Sequence, residues 1–532
     1  MFRRLCISLI LIWSSLASAQ DCKLTLKGKV LDRATEKALS FTFVFIEETS
    51  DQVVVDSLGN FMIKNLCPGH IHINLSHLSC APERTYIDLK FDTSLTFYLE
   101  HHAELLDEVV VHEHRSGSNV NVSNTINQKQ IASEAYKNLA DITKKIPGVS
   151  SLRNGNTSAK PIVHGLFGNR LTILNNGVAQ SGQQWGNDHA PEIDAFMADH
   201  ISVVKGAAAL AYMGSNLGSV MLVDARPVRN DPHLLGSINY IYNTNGRGHT
   251  LNTAFEKNSK AFAWRLNGSL KYAGDQRAPD YFLRNTGRRE QNLSFQIESN
   301  NDSDWHHKLY ISSFNARMGV LRGSHISNLT DLESAFTRDT PFFTENTFSD
   351  SISAPSQKVH HHLLKTESSY SINENSFLKF TYGGQWNRRD EFDVRRGGRS
   401  DRAALSLQQF SHFGEIKWSG LVSDWSVNTG LQYQWIDNAN LAGTGVLPLI
   451  PNYLSYNPGA FIVFQKSKNN WKYELGSRFD FKAYDVKAIS NSLPREIEEF
   501  KNRFFNYAFS AGLSNEISEK LRLSINAGST MR

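Results

Sequence analysis

The chain of 532 residues is poor in cysteine, in net charge and in long apolar runs. Its four cysteines, Cys6, Cys22, Cys67 and Cys80, include no CxxC pair, which argues against a zinc ribbon or a dithiol redox centre. The 56 Lys and Arg residues nearly balance 52 Asp and Glu, leaving +4 with no basic block, so no nucleic-acid partner is expected. Mean hydropathy is −0.37, which excludes a bundle of membrane-spanning helices. No nucleophile–base–orienter set is visible; the reading is therefore not an enzyme, with no catalytic residue and no cofactor.

What is present begins with an address. Arg3-Arg4, a mostly apolar stretch from Leu5 to Leu16 and the small residues Ala17-Ser18-Ala19 make residues 1–19 a signal peptide. The exported chain keeps Cys22, Cys67 and Cys80. Their odd number permits one disulfide, with its pairing open, and confines any staple to the N-terminal part.

Residues 23–100 read as short alternating strands separated by turns, a small β-sandwich. Gly28-x-Val30-x-Asp32 followed by Asp56-x-x-Gly59-x-Phe61 resembles the carboxypeptidase-regulatory-like domain, and the resemblance covers nearly all of residues 20–103. It implies a seven-stranded, transthyretin-like sandwich without catalytic residues of its own.

From residue 229 onward two-residue alternation dominates. Phe262, Trp264, Leu266, Leu270 and Tyr272 interleave with Arg265, Asn267, Ser269 and Lys271. Leu378, Phe380, Tyr382 and Trp386 oppose Lys379, Thr381, Gln385 and Asn387, and comparable segments recur near 425–435, 471–482 and 505–514. Such lengths and period suit strands with lipid on one side and a wet lumen on the other. The connections alternate too: short near 257–261, 300–304, 373–375, 421–424, 468–470 and 515–518, and long between them. A membrane barrel produces this parity, a soluble sandwich does not. About thirteen strands are expected, an odd and incomplete number for a bacterial barrel, so the chain reads as C-terminally truncated.

The middle, residues 113–228, carries Ile146-Pro147-Gly148-Val149, Pro161-Ile162-Val163-His164-Gly165, Leu171-Thr172-Ile173-Leu174-Asn175-Asn176-Gly177 and Val203-Val204-Lys205-Gly206-Ala207. In this order and spacing they resemble the plug domain of TonB-dependent outer-membrane receptors, with His164 where Arg is usual and Ala207 where Pro is usual. The resemblance implies an α/β plug inside an antiparallel transmembrane β-barrel. It makes residues 104–112 the TonB box, in which Leu106, Asp107, Glu108, Val109, Val110 and Val111 pair as an added strand with the energy-transducing TonB complex. The fold class expected is thus mainly β: N-terminal β-sandwich, α/β plug and incomplete barrel. The place is the outer membrane in contact with lipid, with the N-terminal domain periplasmic.

Within the plug, QQWGNDHAPEID (183–194) concentrates chemistry. Trp185 can lie against a ligand ring, while Asp188, His189, Glu192 and Asp194 offer donors that divalent metals accept. His189 and Asp188 are the candidate metal ligands, and His325 in the long 316–358 connection can close over a ligand from outside. The run is similar to the receptor branch associated with zinc and other metal uptake. The plainer reading has Glu192 to Asp194 starting a helix and Trp185 packing on the barrel wall, with polar contacts to the lumen. His112-Glu113-His114, His306-His307 and His360-His361-His362 are read mainly as polar lumen or interface positions. Uptake of a metal ion or metal chelate, such as zinc or an iron-siderophore, is the leading expectation. The alternatives are a glycan- or peptide-importing receptor of the same superfamily and an exported soluble β-rich binding protein.

Overall fold

A computed structural model describes residues 22–33, 36–49, 51–77, 80, 82–99, 124–154, 158–182, 189–213, 219–229, 233–259, 261–300, 303–324, 328–395, 397–518 and 521–531. The signal segment, the hexad 106–111, His112 to His114, Trp185, Asp188 and His325 lie outside the described residues. The chain divides into two compact units, 1–114 and 115–532.

The first unit is built from β1 (Leu24–Asp32), β2 (Phe43–Ile46), β3 (Gln52–Val54), β4 (Asn60–Leu66), β5 (Gly69–Ser76), β6 (Glu83–Leu89) and β7 (Thr93–Leu99). They form two sheets, β4-β1-β7 and β3-β2-β5-β6, the seven-stranded sandwich that the motif implied. Alternation places Leu26, Val30, Val44, Ile46, Ile73 and Leu75 in the core between the sheets, each fully buried. Gly28 pairs across the ladder with Phe61, and a Cβ on Gly28 would come within 2.2 Å of the Phe61 ring. The glycine of the first motif therefore makes room for the aromatic of the second. The pairing left open by the sequence is Cys22–Cys67, tying the entry of β1 to the exit of β4. Cys80 stands outside it, with its sulfur 3.3 Å from His77 Nδ1.

In the second unit, β8 (Asn124–Asn127), β11 (Thr172–Asn175), β12 (Val178–Ala179), β13 (Ala198–Lys205) and β14 (Ser219–Ala225) form a mixed sheet of order β12-β11-β14-β13-β8. The strands β9 (Val149–Asn154) and β10 (Ser158–Val163) make a separate hairpin. Helix α1 (Gln128–Ser133) begins with a capping box: Asn127 accepts from Gln130 N at 3.0 Å while the Gln130 side chain accepts from Asn127 N at 3.1 Å. Ile131 of α1 and Leu139 and Ile142 of α2 (Leu139–Ile142) pack on Ile126, Ile201 and Met221 of the sheet. This is the expected α/β plug.

Around it runs one antiparallel sheet of thirteen strands, the number expected. The strands are β15 (Leu235–Asn243), β16 (Gly248–Asn258), β17 (Phe262–Ala273), β20 (Arg288–Ser299), β21 (Trp305–Gly319), β23 (Ser356–Asn373), β24 (Ser376–Phe392), β25 (Ala403–Val422), β26 (Trp425–Asn440), β27 (Asn452–Lys468), β28 (Trp471–Ile489), β29 (Ile497–Ser518) and β30 (Leu521–Thr530). The short strands β18 (Gln276–Arg277), β19 (Phe282–Leu283) and β22 (Thr344–Glu345) make a small sheet within the long connections.

Burial along the wall is inverted relative to a water-soluble sheet. Lys271 is 7% exposed while Leu270 beside it is 52% exposed. Arg265, Asn267 and Ser269 are buried, whereas Phe262 and Tyr272 face away. Polar side chains meet the plug and apolar ones point outward, as lipid outside and water inside require. Among the described residues no second sheet covers the apolar face, which the soluble alternative needed. Connections at one end are short, as at 259–261, 374–375, 423–424 and 469–470. At the other end 274–287, 320–355, 393–402, 441–451 and 490–496 are long, with only 244–247 short.

Candidate functional site

Residues 189–198 are buried without exception, although they carry three ionisable side chains. Polar groups can be buried at this density only if each finds a partner. Asp194 caps the 3₁₀ turn Ala195–Met197, accepting from Phe196 N at 3.4 Å, so the plainer expectation that this stretch begins a helical turn is met. The other Asp194 oxygen accepts from Ser269 Oγ of β17, while Lys271 Nζ lies 3.6 Å from the capping oxygen and 3.5 Å from Glu290.

Glu192 reaches the wall on two other strands. Its carboxylate accepts from the Arg389 guanidinium and from Asn387 Nδ2, both of β24. It also lies 2.7 Å from His361 Nδ1 of β23. Gln180 Nε2 donates to the Glu192 carbonyl at 3.2 Å, and His361 Nε2 lies 3.1 Å from Gln385 Oε1. Burial pushes the Glu192 carboxyl upward, but the Arg389 charge and the His361 contact outweigh it and hold the group below the ordinary carboxylate value.

His189 extends the network toward the long-loop end. Its Nε2 is 2.6 Å from Glu391 Oε1, and the same oxygen is 3.8 Å from Arg389 Nη1. A continuous polar chain therefore runs His189–Glu391–Arg389–Glu192–His361, crossing between plug and wall three times. Removing one member strands a buried charge, so the chain responds as a unit.

Shape complements charge in seating the plug. A Cβ on Gly383 of β24 would lie 2.8 Å from a Val178 methyl, and one on Gly476 of β28 would lie 2.9 Å from Ala207 Cβ. Apolar contact fills the rest: Val178 and Met213 pack with Tyr310, Leu363 and Phe413 of the wall.

Of the residues singled out from sequence, the structure brings His189, Glu192 and Asp194 together at the plug–wall boundary, each engaged by a wall side chain. Among the described residues no group of three or more His, Cys, Asp or Glu is arranged to hold a metal ion. The histidine runs divide by strand parity. His361 faces the plug, whereas His362 stacks on Trp386 at 5.1 Å on the outward side and His307 contacts Ser368 Oγ at 2.9 Å. The wall partners His361, Asn387, Arg389 and Glu391 were not anticipated as a group. Following the inward positions 385, 387, 389 and 391 along one strand would have found three of them.

Comparison with known proteins agrees with this geometry. The TonB-dependent Receptor Plug Domain family matches residues 115–220, and the CarboxypepD_reg-like domain matches residues 26–111. The fold is similar to the ferric-catecholate import receptor Fiu of E. coli K12 (TM-score 0.59, 13% identity, covering 77% of this chain and 70% of that one). It is similar also to the copper transporter OprC (TM-score 0.55, 15% identity, 76% and 62%). A third is the ferric yersiniabactin uptake receptor FyuA of Yersinia pestis (TM-score 0.57, 12% identity, 77% and 65%). The chain thus spans 62% to 70% of the length of these three. The chain thus carries a TonB-dependent Receptor Plug Domain and a CarboxypepD_reg-like domain, and its wall and plug share the fold of these solved receptors.

Proposed function

We propose that this receptor takes up a scarce ligand, a metal ion or metal chelate, across the outer membrane with energy delivered through TonB. The observation that carries the reading is the polar chain from His189 to His361, which begins at the residue that follows 183–188 in sequence and ties it to the wall. In this reading the predicted ligand set divides. Trp185, Asp188 and His189, with His325 from the long connection, form the landing site, where imidazole and carboxylate supply donors for a divalent metal. Glu192 and Asp194, whose carboxylates already meet Arg389 and Ser269, act as the latch below it. A ligand that draws His189 from Glu391 removes one link of the chain. The hexad 106–111 then pairs with TonB as an added strand and the pull opens the weakened latch. The names of the similar receptors, which mention ferric chelates and copper, support a metal-bearing ligand over a glycan or peptide.

The test is growth of a metal-starved strain complemented by the receptor, together with ligand binding to the purified protein. His189→Ala is expected to lower metal-dependent binding roughly tenfold or more, the loss of one good contact. Unchanged binding and growth defeat the metal reading and leave glycan or peptide import standing. Val110→Pro is expected to abolish uptake while leaving binding intact, because proline cannot donate to an added ladder. Persistent uptake in that variant defeats the assignment of the hexad.

A further inference from the structure

The outward face of the wall carries a row of basic side chains at one level on neighbouring strands. Tyr272 of β17 pairs with Arg289 of β20, Arg289 with Arg317 of β21, and Arg317 with Lys358 of β23. Their direction follows from parity, since Lys271, Glu290 and His361 on the same strands face inward. The guanidiniums are held in place. Arg289 lies 3.6 Å over the Tyr272 ring and donates to the Ala273 and Asp350 carbonyls, both at 2.6 Å. Arg317 Nη2 donates to the Ile352 carbonyl at 3.1 Å. Arg388 of β24 adds a fourth base nearby, 3.3 Å from Asp390, and Asp350 is occupied by the Tyr272 hydroxyl.

Toward the middle of the strands the same face changes character. The next level holds Gln291 and Asn315, an amide pair, with the Asn315 amide donating to the Gln291 carbonyl at 3.2 Å. Below it opens a cavity of about 370 Å³ lined by Leu251, Thr253, Gly268, Leu270 and Leu293. Gly268 makes the notch, for a Cβ there would already stand 3.3 Å from Thr253 Oγ1. From rim to mid-strand the order is cationic, amide, apolar. An amphiphile with a phosphate, a polar linkage and an acyl chain presents the complementary order. A soluble anion has no use for the notch, and an uncharged lipid has none for the guanidiniums.

We infer that this strip binds a phosphorylated lipid of the surrounding membrane, with its phosphate on Arg289, Arg317 and Lys358 and one acyl chain in the notch over Gly268. Three basic groups in one cross-strand row offer a phosphate charge-assisted hydrogen bonds, and the chain adds burial of apolar surface. The inference stands on the wall alone and is independent of the imported ligand.

The test uses the receptor purified in detergent, stripped of lipid and mixed with dioleoyl phosphatidic acid or with dioleoylglycerol, and native mass spectrometry counts what is retained. Phosphatidic acid is expected to remain bound and dioleoylglycerol to be lost. The triple variant Arg289→Gln, Arg317→Gln, Lys358→Gln is expected to retain roughly tenfold less phosphatidic acid, or less still. Gly268→Leu, which keeps every charge but fills the notch, is expected to lower retention as well. Equal retention of both lipids by the unaltered receptor overturns the inference, as does unchanged retention in the triple variant. Release of the lipid by excess inorganic phosphate would assign the strip to a soluble anion and overturn it too. Heat-dependent gel mobility reports folding, and if the triple variant fails that check Gly268→Leu decides alone.

Discussion

The N-terminal sandwich and the thirteen-stranded wall use the same two-residue alternation and assign it opposite meanings. In β1 the side chains turned inward are Leu26 and Val30, each fully buried, while Lys27 and Lys29 are exposed. In β17 the buried side chains are Arg265, Asn267 and Lys271, and Leu270 is exposed. Period alone therefore tells that a segment is a strand with two unlike faces, and says nothing about which face is inside. Solvent decides that: a sandwich excludes water from its centre, whereas the wall encloses a polar plug and turns its apolar side to hydrocarbon.

The contrast is broken most severely by charging the sandwich core. Leu26→Asp places an unpaired carboxylate at a fully buried site and is expected to cost about 4–5 kcal/mol, enough to unfold that unit alone. Loss of its thermal transition by calorimetry, with the plug and wall transition unmoved, is the expected outcome. Next comes the inside of the wall. Arg389→Ala strands Glu192 and is expected to cost about 3–5 kcal/mol of plug seating. Hydrogen exchange of residues 189–198 should speed accordingly. Glu192 titrates below its ordinary 4.5 in the folded chain, so it binds fewer protons folded than unfolded. Its contribution is complete above about 4.5 and is lost as pH falls through the lower folded value. Protection of 189–198 should therefore decline as pH falls below about 4.5 in the unaltered chain, and less steeply in the Arg389→Ala variant. The smallest change is on the outward face. Leu431→Arg, at a position 64% exposed, would be nearly neutral on a soluble surface and is expected to cost about 2–4 kcal/mol in a bilayer. Unchanged denaturant stability in lipid vesicles would refute the lipid-facing assignment of the wall.

Much of the architecture was legible because its signals are local. Alternation and connection parity revealed the thirteen strands, and the motifs around Gly28 and Phe61 marked the sandwich, since each signal is a short motif or the length of one connection. The latch was less legible. Glu192 was recognised as important, but its partners His361 and Arg389 lie 169 and 197 residues away. Which inward wall residue meets which plug residue depends on the tilt and register of the curved sheet, and no local pattern encodes that. The cysteine pairing was hidden for the same reason, because only the folded sandwich brings Cys22 to Cys67.

The absence of side chains at Gly383 and Gly476 has a mechanical corollary. They are two hollows of different outline, one shaped to a valine and the other to an alanine on the facing surface. A stopper with such a keyed profile fits its socket in a single rotational setting.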